Sequence, residues 1–235
     1  MKLGVNIDHI ATLRNARGQN NPNLLRALKV CHDAKVDTLT VHLREDRRHI
    51  KDQDLLELKK NSKIPINLEM ALTDEMIQIA NEINPEFICL VPEKRNEITT
   101  EGGLNLNKIS YPRLKKLLKI SQKKNIQVSA FINPTKKMIT LAKILGFDTV
   151  EIHTGPLDKK IIKKNIINKI NEMIEYAYSE KIIVNVGHGL NFNNIKYIKK
   201  RRYVDTVHVG HFIISEAIFI SLIKTIKTFR SLIKK

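Results

Sequence analysis

The segment MITLAKILGFDTVEIHT, residues 138–154, places a helix-like half directly before a strand-like half. Its first part repeats Leu, Ile and Ala at three- and four-residue steps, which is typical of an amphipathic helix. Gly146 follows at the position where a glycine commonly ends a helix. The remaining FDTVEIHT is a short apolar run rich in β-branched residues, which indicates a strand. The segment therefore predicts a helix followed at once by a strand, the repeating unit of an α/β protein.

The same alternation recurs along the whole chain. The strand-like runs are LGVNI (from Leu3), VDTLTVH (from Val36), IPINLEM (from Ile64), EFICLV (from Glu86), IQVSAFI (from Ile126), FDTVEIHT (from Phe147), KIIVNVG (from Lys181) and YVDTVHVG (from Tyr203). Helix-like stretches between them include LLRALKVCHDA, DLLELKKN, DEMIQIANEI and YPRLKKLLKISQKK. Because parallel strands need helical crossovers, eight such units close naturally into a barrel. We predict an α/β fold, a single (β/α)8 TIM barrel with parallel strands that spans residues 1–235.

Helix start signals agree with this reading of the chain. Thr73 precedes DEMIQIANEI at a capping position, and Asn133-Pro134-Thr135 precedes the next predicted helix. Short polar side chains at such positions accept hydrogen bonds from the first backbone N–H groups of a helix. Asn191 is predicted to cap the segment that follows the seventh strand.

Composition places the chain among ordinary globular proteins. Of its 235 residues, 42% are hydrophobic and 28% are charged, and no apolar run approaches the roughly 18 residues of a membrane helix. Met1 leads directly into a short apolar strand, so we predict no signal peptide, no membrane partner and a cytoplasmic location. Cys31 and Cys89 fall in a predicted helix and a predicted buried strand, which favours reduced core residues over a disulfide.

The net charge of +17 raises the question of a nucleic-acid partner. The lysines are spread over the polar faces of separate predicted helices, without interleaved aromatic residues and without a recognised nucleic-acid motif. We therefore predict no nucleic-acid partner. A basic surface can still attract phosphorylated small molecules within a Debye length of about 8 to 10 Å.

Polar and titratable side chains gather where the predicted strands end. In chain order they are Asn6, Asp8 and His9; His42 and Arg44; Glu69; Glu93 and Lys94; Glu151 and His153; His188; and His211 beside Gly210. A lone histidine at a strand end is usually structural, but the C-terminal ends of barrel strands all meet at one mouth. Burial and like charges there move pKa values toward neutrality, where general acids and bases must titrate. The pattern therefore predicts an acid–base active site.

Glycines supply a second signal. Gly187-His188-Gly189 follows the seventh strand, and Gly210-His211 opens the helix after the eighth, where many barrels hold phosphate with backbone N–H groups. Two tight turns between strand and helix, without any bound phosphate, would produce the same glycine pattern. Side chains for a second phosphate are Arg17, Arg44 and His49, although REDRRHI could equally be a solvated, salt-bridged loop.

Two other enzyme classes remain open at this point. A metal-dependent hydrolase would use His42, Glu69, His153 and His188 as ligands, although Asp8-His9 stands where a His-x-His pair is usual. A Schiff-base aldolase would use Lys94 as its amine.

Several blocks together resemble one known family, in order and along nearly the whole chain. They are GVNIDHIATLRNARG (from Gly4), TVHLREDRRHI (from Thr40), NLEMA (from Asn67), LVPEKR followed by TTEGGL, EIHTG (from Glu151), VNVGHGL (from Val184) and the final VGH. These blocks are similar to the pyridoxine 5′-phosphate synthase family. The chain departs from the family in the short, lysine-rich PLDKKIIKKN after EIHTG and in its final helix, which concerns assembly contacts and stability more than chemistry.

The resemblance implies a condensation of 1-deoxy-D-xylulose 5-phosphate with 3-amino-2-oxopropyl phosphate, without metal or cofactor. It implies proton acceptors at His42 and Glu69, a proton donor at His188, and a transition-state stabiliser at Glu151. The implied ligands of the amino-oxopropyl phosphate are Asn6, Arg17, Gly189, Gly210 and His211, and those of the deoxyxylulose phosphate are Asp8, His9, Arg44, His49 and Thr99. The resemblance also implies a homo-octamer and a loop that closes over the site. We place that loop at TTEGGL, with flexible Gly102 and Gly103.

Overall fold

The computed structural model describes residues 1–93 and 102–234. Within these ranges, eight parallel strands form a closed barrel, in which each strand pairs with the next and the eighth pairs with the first. The strands are β1 (Lys2–Asn6), β2 (Thr38–His42), β3 (Ile66–Met70), β4 (Phe87–Leu90), β5 (Gln127–Ile132), β6 (Thr149–His153), β7 (Ile183–Gly187) and β8 (Val204–Val209). The strands β2 to β8 lie inside their predicted runs, and β1 begins one residue before its own, so the predicted barrel is confirmed.

Helices surround the barrel. They are α1 (Asp8–Arg17), α2 (Leu24–Asp33), α3 (Asp52–Asn61), α4 (Asp74–Ile83), α5 (Tyr111–Lys124), α6 (Lys136–Ile144), α7 (Lys164–Ser179), α8 (His211–Ile220) and α9 (Leu222–Lys234). Short 3-10 helices occur at Leu106–Lys108, Gly155–Leu157, Ile195–Tyr197 and Arg201–Tyr203. Among the described residues, no helix is both long and apolar enough to cross a membrane.

Most helix-boundary predictions hold. The hydroxyl of Thr73 accepts from the backbone N–H of Met76 at 3.2 Å, and α6 is capped in the same way by Thr135. Gly146 has a φ of +88° directly after Leu145, the C-cap residue of α6.

The prediction for Asn191 is corrected by the structure. Its Oδ1 accepts from the backbone N–H groups of Asn193 and Asn194, which closes a turn instead of opening an α-helix. The link between β7 and β8 consequently contains 3-10 turns in place of a full helix. Asparagine side chains that bond to nearby backbone groups compete with helix formation, and three of them lie within residues 191–194.

The apolar core lies between the strands and the helices. Apolar side chains such as Leu39, Val41 and Leu68 are fully buried on that side. The alternate residues of the strands face the barrel axis, and many of them are polar and buried: Thr38, Thr40, Asn67, Ser129, Thr149, Glu151, Thr206 and His208. Barrel interiors are more often filled by bulky branched side chains. Polar side chains therefore continue from the mouth of the barrel into its interior.

Both cysteines are buried and free, as predicted. Cys31 lies on α2 and Cys89 on β4.

Candidate active site

A cavity of about 420 Å³ opens at the C-terminal ends of the strands. Its lining includes the predicted site residues Asn6, Asp8, His9, His42, Arg44, His49, Glu69, Glu151, His188, Gly189, Gly210 and His211. Residues from the ends of β1, β2, β3, β6, β7 and β8 therefore meet around one space, as expected for parallel strands in a closed barrel.

Two predicted ligands are not among the lining residues. Arg17 is exposed in the last turn of α1 and does not line the cavity. Thr99 lies outside the described residues, as does Lys94, the amine of the aldolase alternative.

Asp8 fixes the corner between β1 and β2. One carboxylate oxygen accepts from the backbone N–H of His42 at 2.9 Å, and the other accepts from the side-chain amide of Asn6 at 2.8 Å. The backbone N–H of Asp8 in turn donates to Asn6 Oδ1 at 2.8 Å. This buried carboxylate starts α1, where the helix dipole favours negative charge.

His42 is held by a carboxylate that the sequence did not single out as its partner. Its Nε2 lies 2.9 Å from Glu93 Oε1, and the remaining ring nitrogen Nδ1 lies 3.9 Å from Glu69 Oε2. Although burial acts to raise the pKa of Glu93, the hydrogen bonds from His42 Nε2 and from the backbone N–H of Glu45 hold that pKa below the ordinary value. Because an ionised carboxylate only accepts, the ring proton sits on Nε2 and the lone pair on Nδ1 faces Glu69.

Glu69 and Glu151 form a pair of carboxyl groups that disfavour each other's ionisation. Burial, followed by the charges of Glu151 and Asp8, raises the pKa of Glu69 well above its ordinary value. Burial raises the pKa of Glu151 to about 7, partly opposed by the Cys89 thiol, which donates to Glu151 Oε2 across 3.8 Å. Such a pair offers both a proton and a proton acceptor near neutral pH.

His208 is a buried site residue that the sequence reasoning missed. Asn67 donates to the hydroxyl of Thr40, which lies 3.0 Å from His208 Nδ1. The hydroxyl proton then points to Nδ1, so the ring carries its own proton on Nε2, 4.0 Å from Glu151 Oε2. Period-two alternation in YVDTVHVG could have found it, because His208 and Gly210 face the same side of β8.

Gly4 provides the space for this ring, and its replacement gives a testable prediction. A Cβ on Gly4 would lie 2.3 Å from His208 Nδ1, and the buried, hydrogen-bonded ring cannot swing away. We expect Gly4→Ala to lower the free energy of unfolding by about 1–3 kcal/mol, measured by urea denaturation. In the double variant Gly4→Ala/His208→Ala, the loss in free energy of unfolding should be clearly smaller than the sum of the losses in the two single variants. Strict additivity would contradict the clash between the Cβ and the ring.

His188 stands in a sharp turn between β7 and the following loop. It has a φ of +72° and is followed by Gly189 at +69°, and its side chain is exposed to the cavity. Partial burial lowers the pKa of His188, with Asp158 acting to raise it and His211 to lower it. The ring is therefore neutral at ordinary pH and must take up a proton before it can donate one to a bound molecule.

Two sides of the cavity suit anions. On one side Gly210 directly precedes α8, so the positive end of that helix opens onto the cavity, beside His211 and His9 with ring centroids 5.0 Å apart. On the other side lie Arg44 and His49. Burial lowers the pKa of His49, so Arg44 is the permanent cation on that side.

Comparisons with known proteins agree with this geometry. A model of the family described as "Pyridoxal phosphate biosynthesis protein PdxJ" matches residues 3–235. The chain belongs to this family. Relatives named "Pyridoxine 5′-phosphate synthase" include one from Prochlorococcus marinus, 44% identical over 98% of each chain. Others come from Wolbachia pipientis, 44% identical over 100% of each chain, and from Ehrlichia canis, 43% identical over 98% of this chain and 96% of the relative.

Solved structures support the barrel fold of this PdxJ family member. The 3-hexulose-6-phosphate synthase structure superposes with a TM-score of 0.65 over 99% of both chains at 16% identity. N-(5′-phosphoribosyl)anthranilate isomerase from Pyrococcus furiosus gives a TM-score of 0.63 at 16% identity, over 100% of this chain and 98% of that one. At such low identity the likeness concerns the fold alone.

Metal binding by this family member would involve a different set from the one predicted for a hydrolase. Among the described residues, the side chains spaced to share a cation are Asp8, His42 and His49, whose ligand atoms lie within 4.8 Å of one another. His42 is already bonded to Glu93, and Asp8 to Asn6 and the backbone of His42.

A second cavity, of about 510 Å³, lies on the flank of the barrel between α1, α2 and α3. Arg14 and Asp54 form an ion pair there at 2.5 Å, and the lining also includes Lys51 and Glu57 but none of the histidines that gather at the mouth of the barrel.

The raised pKa of Glu151 predicts a pH-dependent stability. The pKa of Glu151 rises from 4.5 to about 7 on folding, so its protonated form is favoured in the folded state. The stabilisation of the folded state by this group is full below about pH 4.5 and is lost as the pH rises through about 7. We expect the free energy of unfolding of the wild type, relative to Glu151→Gln, to fall across this window in urea titrations. The variant serves as reference because His153 and His208, with pKa values lowered to about 4, act in the opposite direction. A constant difference would contradict the raised pKa.

Proposed function

We propose that this chain is a pyridoxine 5′-phosphate synthase that condenses 1-deoxy-D-xylulose 5-phosphate with 3-amino-2-oxopropyl phosphate to give pyridoxine 5′-phosphate, phosphate and water. The observation that carries the proposal is the meeting of His42, Glu69, Glu151 and His188 around one cavity that has an anion-binding side at each end. Membership of the family and the names of its full-length relatives support it.

The reaction consists of proton transfers on carbon, nitrogen and oxygen. Imine formation, loss of phosphate, addition of water and ring closure each need an acid or a base within hydrogen-bond reach. His42 and Glu69 act as proton acceptors, because the lone pair on His42 Nδ1 faces into the site and lies beside the Glu69 carboxyl, 3.9 Å from Oε2.

The other two groups reach the cavity from β6 and from the turn that follows β7. His188 donates a proton, since its exposed ring reaches the cavity from the tip of the β7 turn. Glu151 stabilises cationic or enolic transition states from the barrel interior, where a charge acts through a low dielectric. Its neighbours Cys89 and His208 hold the carboxyl from two sides.

Each substrate phosphate has its own end of the cavity. The amino-oxopropyl phosphate binds at the start of α8, and its ligands are Asn6, Arg17, Gly189, Gly210 and His211. The deoxyxylulose phosphate binds near the β2 loop, and its ligands are Asp8, His9, Arg44, His49 and Thr99. Arg17 can take part only if an assembly brings α1 of one copy near the cavity of another, because it is exposed on the single chain.

Residues 1–235 form a single catalytic domain that acts in the cytoplasm as a homo-octamer. The apolar side chains of Leu13 on α1 and of Ile218 and Phe219 on α8 support assembly, because they are exposed on neighbouring helices. Sedimentation of the purified protein measures the size of the assembly.

The function is tested by mixing the protein with both substrates in chelator-treated buffer and following pyridoxine phosphate by absorbance. Product should appear only when both substrates are present. A need for added metal would favour a metal-dependent reaction, and borohydride trapping of substrate on Lys94 would favour the aldolase. Absence of product from folded, ligand-binding protein would refute the proposed function.

A further inference from the structure

The segment at the C-terminal end of β6, His153-Thr154-Gly155, contacts the turn that carries His188 through three different kinds of interaction. We propose that this segment positions His188: the Thr154 hydroxyl clamps its backbone, the His153 ring sets its side-chain direction, and Gly155 leaves the space that both require. The proposal rests on the proposed function, because it assigns residues that act through the proposed proton donor.

The backbone of His188 needs outside support. Its φ of +72° lies in the left-handed region, which residues with a Cβ seldom adopt. Such a conformation persists only where surrounding contacts hold it, and it is common where a side chain must be aimed at a ligand. Since the ring is exposed to the cavity, contacts to the backbone must supply most of this support.

Thr154 supplies that support from β6. Its backbone N–H donates to the carbonyl oxygen of Gly187 at 2.8 Å. Its hydroxyl lies 2.7 Å from the same oxygen and 2.8 Å from the carbonyl oxygen of His188. Thr154 is fully buried, so water cannot replace its hydroxyl. One side chain thus joins the two carbonyl groups on either side of the His188 Cα.

Asn194 holds the far side of the same turn. Its side-chain amide donates to the carbonyl oxygen of Gly189 at 2.7 Å and to that of Leu157 at 3.1 Å. The Leu157 bond ties the turn to the 3-10 helix that follows Gly155. The turn is therefore held at both ends by buried side chains that do not themselves face the substrate.

The ring of His153 packs against the ring of His188. The two centroids are 5.2 Å apart at an interplanar angle of 61°, and the ring of Phe131 lies 5.1 Å from that of His153. His153 Nδ1 lies 3.3 Å from Asn133 Oδ1, which fixes the plane of the ring. Burial and the neighbouring His188 lower the pKa of His153 to about 4, so this contact is uncharged at neutral pH.

Gly155 is required by the closeness of these rings. A Cβ at this position would lie 2.3 Å from His153 Nε2 and 3.0 Å from His188 Cδ2. Both rings would have to move. Glycine here therefore reflects packing around His188 and not the needs of the 3-10 helix alone.

The test compares Thr154→Val, which removes the hydroxyl but keeps the shape, with Thr154→Ser, which keeps the hydroxyl. Misplacing a reacting group by about 1 Å costs up to about a hundredfold in rate. We expect Thr154→Val to lower kcat by about 10- to 100-fold with little change in KM, and Thr154→Ser to recover most of it. The matched control is Thr225→Val, which removes another fully buried hydroxyl, 2.9 Å from the carbonyl of Ser221 within α9. It should reduce stability without changing kcat.

A second measurement is independent of turnover. In protein labelled with 15N-histidine, the His188 signals are assigned by their loss in His188→Asn, and the pKa of the ring is read from a pH titration. Thr154→Val should shift that pKa and the alkaline or acid limb of the pH–rate profile together, whereas Thr225→Val should shift neither. A wild-type kcat and an unchanged His188 titration in folded Thr154→Val would overturn the inference. If the wild type makes no product, the proposed function fails, and the titration alone decides the positioning role.

Discussion

Glu69→Gln lowers kcat by about 10²- to 10⁴-fold, the range that a general acid or base contributes, while the protein still folds and binds its phosphorylated substrates. Glutamine has nearly the shape of glutamate but cannot take up and release a proton. Burial and the charges of Glu151 and Asp8 raise the pKa of Glu69 well above its ordinary value, so its carboxyl holds a proton more tightly than a free glutamate does. The variant also removes the carboxyl that faces the lone pair of His42 Nδ1, 3.9 Å away.

The matched control is Glu86→Gln, because Glu86 lies against the opposite end of the same strand. Its carboxylate accepts from the backbone N–H of Ile66 at 2.8 Å, at the start of β3, whereas Glu69 lies near the end of β3. We expect Glu86→Gln to lower the melting temperature and leave kcat unchanged. Comparing Glu69→Gln with Glu86→Gln therefore separates the general effect of removing a carboxylate from β3 and its surroundings from the specific effect of removing it at the barrel mouth.

Steady-state kinetics and calorimetric titration with 1-deoxy-D-xylulose 5-phosphate measure the two effects of Glu69→Gln. A normal kcat would remove Glu69 from the mechanism. Loss of folding would show that it is a structural carboxylate, buried beside Glu151 for stability.

His188→Asn lowers kcat by about 10²- to 10⁴-fold through loss of the proton donor. Asparagine is the appropriate replacement because it tolerates the left-handed backbone of this position better than alanine does. The turn should keep its shape, including the bonds from Thr154 to the carbonyl groups of residues 187 and 188. The KM for both substrates should therefore change little.

His32→Asn is the control for this substitution. His32 lies in the last turn of α2, before the start of β2 and outside the residues that line the cavity, and its side chain is 57% exposed beside Asp33. It should leave both kcat and the pH–rate profile unchanged. If His188→Asn keeps wild-type kcat, another residue of the cavity donates the proton, and His211 is the neighbour to substitute next.

The alternation of helix and strand patterns predicted the barrel because each pattern is local. Apolar residues spaced two apart in a strand, or about 3.6 apart in a helix, can be recognised within a short stretch of consecutive residues. The segment that ends α6 and runs through β6 is an example. The failure came at residues 191–198, where asparagine side chains bond to the nearby backbone and replace the expected helix with turns. Such competition depends on side-chain directions that the pattern of residue types does not contain.

Twelve predicted site residues line the cavity because the strand ends of a closed barrel must meet, whatever lies between them in the chain. The partners of those residues could not be predicted in the same way. These partners are set by contacts between residues from different strands. Examples are the contact of Glu93 with His42, that of His208 with Glu151, and that of Thr154 with the backbone of His188. The exposed position of Arg17, about two helical turns past the cavity-lining His9, is likewise a result of the helix path.

The sequence by itself determined the kind of fold, the family and the set of groups able to do acid–base chemistry, since these follow from residue types and their spacing. Only the tertiary structure decided which nitrogen of His42 is free, which carboxyl groups raise each other's pKa, and what holds His188 in its strained turn. The physical reason is that protonation and orientation depend on distances of a few ångströms and on burial. Those quantities arise when strands far apart in the chain are brought side by side.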